Sequence, residues 1–295
     1  MKEHKAIFSA VLAAALYALS APVSKLLLQR VEPSMMAALL YLGAGLGMLG
    51  LGVVRRQPGG KVIRMEGLGG ANRSYTIGMV LLDIAAPILL MLGIRDTSSA
   101  NASLLNNFEI VATSLIALCI FGERISRRLG VGIGLIVLSS VLLTVEDASG
   151  WVFSGGSVLV LLASCCWGLE NNCTRMLSQS DPQGIVVVKG LGSGLGAMLV
   201  ALLKGEAFPD WRYVPAVLLL GFVAYGLSIF FYVYAQRDLG AARTSAYYAI
   251  APFIGVLLSL VIFREWPGML FYAALAGMII ATLLVTKERS EEEGT

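Results

Sequence analysis

Apolar stretches of about 20 residues recur along almost the whole chain, and short polar connections separate them. About 20 residues of helix cross the hydrocarbon core of a bilayer, so each stretch predicts one membrane-spanning helix. The predicted spans are residues 6–28, 35–54, 75–94, 99–121, 129–146, 157–177, 185–203, 214–235, 241–263 and 267–286. The pattern therefore predicts an all-α polytopic membrane protein with ten transmembrane helices.

The composition agrees with this fold class. Hydrophobic residues make up 57% of the 295 residues and charged residues only 14%, whereas an ordinary soluble domain has about 25% charged residues. The net charge of +3 is too small to indicate a nucleic-acid-binding protein. The expected partner from composition and charge is therefore a lipid bilayer and not a nucleic acid. The charged segment 287–295 is predicted to be a disordered cytoplasmic tail.

The distribution of Lys and Arg predicts the orientation of the chain. With the N-terminus in the cytoplasm, fourteen Lys and Arg residues of the loops and tails lie inside and five lie outside. Positively charged loops stay preferentially on the cytoplasmic side of a membrane. We therefore predict a multi-pass protein of the plasma (inner) membrane with both termini in the cytoplasm.

An internal repeat divides the chain into residues 6–146 and 157–286. The glycine-rich "GAGLG" at 43–47 matches "GSGLG" at 192–196, and "RDTSSANAS" from Arg95 matches "RDLGAARTS" from Arg237. Small residues at this spacing let membrane helices pack closely. Each half has an odd number of spans, so the second half is expected to enter the membrane inverted. Inverted repeats are typical of transporters that bind substrate near the midplane, between the halves.

Two repeated motifs resemble a known family. An aromatic residue is followed by a base and an acidic-Pro turn, as Tyr17…Lys25…Glu32-Pro33 and as Trp167…Arg175…Asp181-Pro182. An apolar helix closes on a Glu before a further apolar helix, in "CIFGERISRRLGVGIGLIVLSSVLL" from Cys119 and "VIFREWPGMLFYAALAGMIIATLL" from Val261. Together they resemble the drug/metabolite transporter (DMT) superfamily, EamA type. The resemblance implies a ten-helix fold that carries amino acids, other metabolites or drugs.

Three acidic residues, Asp83, Glu109 and Glu170, fall near the middles of predicted spans. An acid at that depth costs at least about 2.5 kcal/mol, so each needs an explanation. We expect no Lys or Arg at the same depth, because Lys189 and the other bases within spans lie near span ends, where they can snorkel. The matching positions of the other half are Tyr225, Ala251 and Ser20. Because packing motifs repeat and these acids do not, we assign the acids to a binding site.

Other candidate residues surround these acids. Helical spacing puts Asn106, Glu109 and Thr113 on one face. A second polar stripe contains Cys166, Glu170 and Cys173, with neighbours Trp167, Asn171 and Asn172. By the resemblance, Tyr17, Trp167, Tyr225, Tyr247 and Tyr248 line a central cavity. The predicted substrate-binding or proton-coupling residues are Glu170, Glu109, Asp83, Asn106, Asn107, Asn171, Asn172, Trp167, Tyr17, Tyr225 and Tyr248.

These residues predict a secondary active transporter that exports a small metabolite, such as an amino acid or amine, with protons as a possible coupling ion. One alternative is a soft-metal or other cation transporter that uses Cys166, Glu170 and Cys173 as ligands. Another is a non-transporting membrane scaffold. No motif of a nucleophile, zinc or phosphate site is present, so we expect neither an enzyme nor a cofactor.

Overall fold

The computed structural model describes residues 2–54, 67–121, 126–147, 152–177, 180–239, 244, 247–264 and 266–292. The helices before residue 150 are α1 (Lys2–Ala18), α2 (Ser20–Leu27), α3 (Pro33–Val54), α4 (Arg73–Asp96), α5 (Ser99–Leu105), α6 (Phe108–Phe121) and α7 (Arg127–Thr144). A short 3₁₀ turn, Gly70–Asn72, precedes α4. Two short antiparallel strands, β1 (Val145–Asp147) and β2 (Val152–Phe153), join this part to the rest.

The helices after residue 150 follow the same alternation of apolar stretch and short connection. They are α8 (Gly155–Met176), α9 (Pro182–Leu203), α10 (Val214–Gly221), a π-helical turn (Phe222–Leu227), α11 (Ser228–Leu239), α12 (Ala251–Phe263) and α13 (Met269–Glu292). The last helix includes most of the segment predicted as a disordered tail. Residues 293–295 of that segment, and most of 241–250 in the predicted ninth span, lie outside the described residues or outside a described helix.

Within the described residues, seven segments are long and apolar enough to cross a membrane. They are His4–Leu27, Pro33–Val54, Arg73–Asp96, Ser99–Ile120, Arg127–Thr144, Gln183–Leu203 and Val214–Tyr232. The apolar parts of α12 and α13 are shorter, at 10–17 residues. Helix α8 is as long as the seven, but Glu170 and its neighbours Asn171 and Asn172 make it more polar. The chain is thus a multi-pass, essentially helical membrane protein.

Three of the long segments contain an irregular turn. The first is divided between α1 and α2 at Leu19, because Pro22 has no N–H to donate to the carbonyl of Ala18. The fourth is divided between α5 and α6 at Asn106 and Asn107, and the seventh contains the π-helical turn. Such irregular turns inside helices are frequent at functional sites.

Helices α3 and α9 pack against each other through their glycine-rich stretches, where the sequence predicts close helix packing. A methyl group built on Gly45 would lie 2.7 Å from the backbone nitrogen of Leu191. In the matching contact, a methyl group on Gly194 would lie 2.7 Å from the backbone nitrogen of Leu42. We call these contacts the glycine seam. Around it, α4 packs along α8, α1 along α11, and α7 along α13.

Candidate functional site

Three charged side chains meet where α4, α8 and α9 pack together. The Nζ atom of Lys189 lies 3.2 Å from Oδ2 of Asp83 and 3.0 Å from Oε1 of Glu170. Both carboxylates are buried, and the Lys189 side chain is 15% exposed. We call Asp83, Glu170 and Lys189 the charge cluster. Because these charges have left water, the ion pairs offset a large desolvation cost.

Neutral donors also contact one oxygen of each carboxylate. The Tyr41 hydroxyl donates to Oδ1 of Asp83 at 3.0 Å, and Nε1 of Trp167 donates to the same oxygen at 3.2 Å. The hydroxyl of Thr174 donates to Oε1 of Glu170, the oxygen that also contacts Lys189. Hydrogen bonds to a charged group are stronger than neutral ones, so these donors fix the carboxylates in position.

Helical spacing explains how α8 contributes to the cluster. Trp167, Glu170 and Thr174 are three and four residues apart, so they form one stripe along the helix. In α4, the ring of Pro87 leaves the carbonyl of Asp83 without its usual helical donor, although the helix continues through it. Asp83 therefore lies in a part of α4 that is more polar than its sequence surroundings suggest.

Lys189 corrects the expectation that no base lies at the depth of the acids. Glu170 precedes the end of α8 at Met176 by six residues, and Lys189 follows the start of α9 at Pro182 by seven residues. These two helix ends are joined by a short connection and lie at the same side. At about 1.5 Å per residue both positions lie about 9–11 Å inward, so the ammonium meets the carboxylate instead of snorkelling.

Four tyrosines form a continuous aromatic wall that begins at the charge cluster. Tyr41 lies 5.5 Å from Tyr225 between ring centroids, Tyr225 lies 6.0 Å from Tyr17, and Tyr17 lies 5.9 Å from Tyr248. The hydroxyl groups of Tyr225 and Ser20 are 2.7 Å apart and share a hydrogen bond. We call Tyr41, Tyr225, Tyr17 and Tyr248 the tyrosine row. Tyr247 instead packs against a small apolar cluster that contains Ala6 and Ala10.

A second polar centre lies on a different face of α8. Oε1 of Glu109 accepts a hydrogen bond of 2.5 Å from Nδ2 of Asn171, and Nδ2 also lies 3.4 Å from the hydroxyl of Thr113. Both Glu109 and Asn171 are half-buried. The Glu109 carboxylate is near enough to Tyr17 and Tyr248, the two tyrosines of the row farthest along from Tyr41, to interact electrostatically with their hydroxyl groups.

The asparagines predicted beside the acids have different surroundings. Asn171 bonds to Glu109 and not to Glu170. Asn172 is buried and donates at 2.8 Å to the carbonyl of Gly168 in its own helix and at 3.4 Å to that of Thr113, so it joins α8 to α6. Oδ1 of Asn106 and Nδ2 of Asn107 are buried without a hydrogen-bond partner among the described residues.

The cysteines of α8 do not form a metal-binding set with Glu170. Among the described residues, no three His, Cys, Asp or Glu side chains come together as metal ligands. Cys165, Cys166 and Cys173 are half-buried and free. Among the described residues, the cation that contacts Glu170 is the ammonium of Lys189.

Apolar helices packed around buried charges define a polytopic membrane protein, and comparison with known proteins defines its family. The model of the EamA-like transporter family matches residues 4–145 and again residues 154–287. The two matches together span almost the whole chain, so the chain belongs to the EamA-like transporter family. It is a membrane transporter of the drug/metabolite type, as the repeated motifs of the sequence indicated.

Relatives agree with this assignment. A transporter of Methanothermobacter thermautotrophicus, described as uncharacterized, is 25% identical over 279 residues, which cover 87% of this chain and 79% of the relative. The uncharacterized inner membrane transporter YedA of Escherichia coli is 25% identical over 264 residues, which cover 86% of this chain and 81% of YedA. One solved crystal structure matches 96% of both chains with a TM-score of 0.68 and 18% identity, which shows a common fold.

Proposed function

We propose that this protein is a secondary active transporter that exports a small metabolite with a cationic group, such as an amino acid or amine, across the plasma membrane. The observation that carries the proposal is the buried charge cluster between helices of the two family matches. Asp83 comes from the first match, and Glu170 and Lys189 come from the second. Ionisable residues at this depth are expensive and mark substrate or ion pathways.

A ten-helix architecture of two inverted halves, residues 6–146 and 157–286, is part of the proposal. It is supported by the helix contacts, because helices that match in the sequence repeat make matching contacts. Helix α4 packs along α8, and the matching pair α11 and α1 also packs together. The repeat also matches α3 with α9 and α7 with α13. The two helices of each of these matched pairs pack against each other. Rocking of the halves about the glycine seam would expose the site to alternate sides.

The tyrosine row and Glu109 are the proposed binding surface for the substrate. Aromatic rings attract a cation over their faces, and the row presents four rings within 6.0 Å of their neighbours. Glu109 adds a half-buried carboxylate at its far end, with Asn171 as a hydrogen-bonding partner. Asn106 and Asn107 adjoin Glu109 in sequence. Among the described residues, Oδ1 of Asn106 and Nδ2 of Asn107 have no hydrogen-bond partner, so they supply a further acceptor and a further donor.

The proposed orientation is the one that the Lys and Arg distribution predicts, with both termini in the cytoplasm. The proposed coupling ion is the proton, which the buried acids could carry. This arrangement would let a proton gradient across the plasma membrane drive export. The inner-membrane location of the relative YedA supports the choice of membrane.

Reconstitution into liposomes tests the proposal. A radiolabelled panel of amino acids, amines and polyamines is offered to the purified protein with and without a pH gradient. We expect saturable flux of a cationic member, and we expect Glu109→Gln to reduce that flux at least about tenfold, equivalent to about 1.4 kcal/mol. Glu32→Gln is the matched control, because Glu32 is exposed in the turn before α3.

The flux of the parent and of the two variants separates three possible results. Absence of flux for the whole panel in the parent protein would overturn the transport of cationic metabolites. Full flux in the Glu109→Gln variant would remove Glu109 from the binding surface while leaving the transport function standing. Equal losses in Glu109→Gln and Glu32→Gln would indicate a non-specific effect of substitution on the fold.

A further inference from the structure

Lys189 occupies the position between Asp83 and Glu170 that the ammonium group of a substrate would otherwise take. A cation tethered to the protein competes at a high effective concentration, so a free amine displaces it poorly. Resting on the transport function proposed above, we propose that the charge cluster binds a proton instead of the substrate, with Glu170 as the carboxylate that takes it up and releases it.

The charge count supports this role. Two carboxylates and one ammonium leave the cluster with a net charge of −1 when all three are ionised. A net charge in an apolar interior is costly, and a single proton removes it. The surrounding described groups do not supply another cation: Tyr41, Trp167 and Thr174 are neutral donors. The other titratable groups facing the carboxylates, Tyr225 and Cys173, are also neutral when protonated.

The contacts point to Glu170 as the carboxylate that changes its protonation. Asp83 accepts hydrogen bonds from Tyr41 and Trp167 on Oδ1. Its Oδ2 has no hydrogen bond among the described residues but lies 3.2 Å from Nζ of Lys189, as an ion pair. Glu170 receives Thr174 and Lys189 on Oε1 alone. Its other oxygen, Oε2, has no hydrogen bond among the described residues and can carry a proton without displacing a donor. A proton on either oxygen of Asp83 would instead displace a hydrogen bond or the contact with Lys189.

In each cycle Glu170 takes up one proton and releases it again. A proton from water on the proton-rich side forms an O–H bond at Oε2 of Glu170, which leaves the cluster neutral with Asp83 as anion and Lys189 as cation. On the other side this O–H bond breaks, the proton returns to water, and the net charge becomes −1 again. No other bond changes and no electrons move.

Protonation also changes a contact between the two family matches. Lys189 is shared between Asp83 of the first match and Glu170 of the second. When Glu170 is neutral, Lys189 interacts mainly with Asp83, which strengthens the ion pair that joins α9 to α4. A local change of charge thus biases the packing of the halves, which is how such switches reach distant sites.

A measurement without any substrate tests the proton site directly. Infrared difference spectra of the purified protein in lipid are recorded while the pH is lowered, and the carbonyl stretch of a protonated carboxyl group is followed. We expect a buried-carboxyl band that Glu170→Gln abolishes, that Glu170→Asp retains at a shifted frequency, and that Glu32→Gln leaves unchanged. A band of full intensity in Glu170→Gln would overturn the proposal.

Flux measurements separate this inference from the transport function. For the panel member that the parent carries, two rates are compared: accumulation driven by a pH gradient, and exchange of labelled for unlabelled substrate without a gradient. We expect Glu170→Gln to raise the ratio of exchange to accumulation at least about tenfold, and Glu170→Asp to restore it partly. An unchanged ratio would overturn the proton role of Glu170. Absence of all flux in the parent would instead overturn the transport function, while the infrared band would still decide the proton site.

Discussion

Matching positions of the two halves hold a charged site in one place and a neutral site in the other. By the shifts of the sequence repeat, Asp83, Glu170 and Lys189 correspond to Tyr225, Ser20 and Leu40. The first set forms two ion pairs around an ammonium. The second forms one hydroxyl–hydroxyl bond of 2.7 Å between Tyr225 and Ser20. Even the aromatic neighbours correspond, because Trp167 contacts Asp83 and Tyr17 contacts Tyr225.

The glycine seam shows the opposite behaviour. Gly45 and Gly194 match in sequence, and a methyl group built on either one would lie 2.7 Å from a backbone nitrogen of the other helix. Close packing between two helices imposes the same demand on both partners, whereas binding a proton or an asymmetric substrate does not. The difference indicates that repeated residues serve the scaffold and unrepeated polar residues serve the site.

The largest predicted effect comes from replacing the lysine of the charge cluster by the residue at the matching neutral position. Lys189→Leu places the residue found at the matching Leu40 between two buried carboxylates. Removing one partner of a buried ion pair costs about 3–5 kcal/mol, so we expect poor yield and a strongly lowered melting temperature in detergent. Adding Asp83→Asn and Glu170→Gln should restore the yield, because no buried charge is then left without a partner. If Lys189→Leu alone were as stable as the parent, the ion pairs would not hold the three helices together.

Two Tyr→Phe substitutions, each of which removes one hydroxyl group, compare the charge cluster with its neutral counterpart. Tyr41→Phe removes a donor to the Asp83 carboxylate, and Tyr225→Phe removes the bond to Ser20. Hydrogen bonds to charged groups contribute about 1.5–3 kcal/mol and neutral ones about 0.5–1.5 kcal/mol. Thermal unfolding of both variants should therefore show the larger loss for Tyr41→Phe. The reverse order would contradict the assignment of Asp83 as the persistent anion of the cluster.

Much of this comparison follows from the sequence. The helices, and close packing at the glycine-rich stretches, could be predicted because apolar length and repeated small residues depend on local spacing alone. The burial of Asp83 and Glu170 could be predicted because both lie near the middles of apolar spans. Family membership followed from motifs that repeat in register.

The partners of these acids could not be predicted from single helices. The position of Lys189 in its own helix predicts a span end, whereas counting inward from the α8–α9 connection places it level with Glu170. Asn171 and Asn172 adjoin Glu170 in sequence but do not share its contacts. Successive residues are rotated by about 100° around a helix, so these two face α6 and the charge cluster does not include them.

The glycine seam predicts equal responses from its two matched positions. Gly45→Ala and Gly194→Ala each place a methyl group 2.7 Å from a backbone nitrogen, which cannot move as a side chain does. Overpacking of this kind costs about 1–3 kcal/mol. Gly50→Ala is the control, since its methyl group would have no neighbour within 4 Å and alanine favours a helix. Melting temperatures that differ widely between Gly45→Ala and Gly194→Ala would contradict the prediction that the two positions are packed equally.

The smallest predicted effect concerns how the two matching helices α3 and α9 begin. Asp181 caps α9 from its own N-cap position, with its carboxylate 3.1 Å from the Gly184 nitrogen. The start of α3 is capped from the other half, because the Glu206 carboxylate lies 2.9 Å from the Met35 nitrogen and 2.8 Å from Nζ of Lys204. Partial burial opposes ionisation of Glu206, but hydrogen bonds from Lys204, Ser34 and Met35 lower its pKa below the usual value.

A lowered pKa gives the sign of the pH dependence. The folded state holds Glu206 ionised more strongly than the unfolded state does, so the contribution to stability is complete above the ordinary pKa of a glutamate. It is lost as the pH falls through the lowered pKa of the folded protein. We therefore expect Glu206→Gln to cost up to about 1 kcal/mol near neutral pH, the usual value of a helix cap, and less in acid. Melting temperatures of the parent and variant across this range measure the difference, with Glu32→Gln as control. A difference that stays constant with pH would mean that Glu206 caps α3 by shape alone and not by its charge.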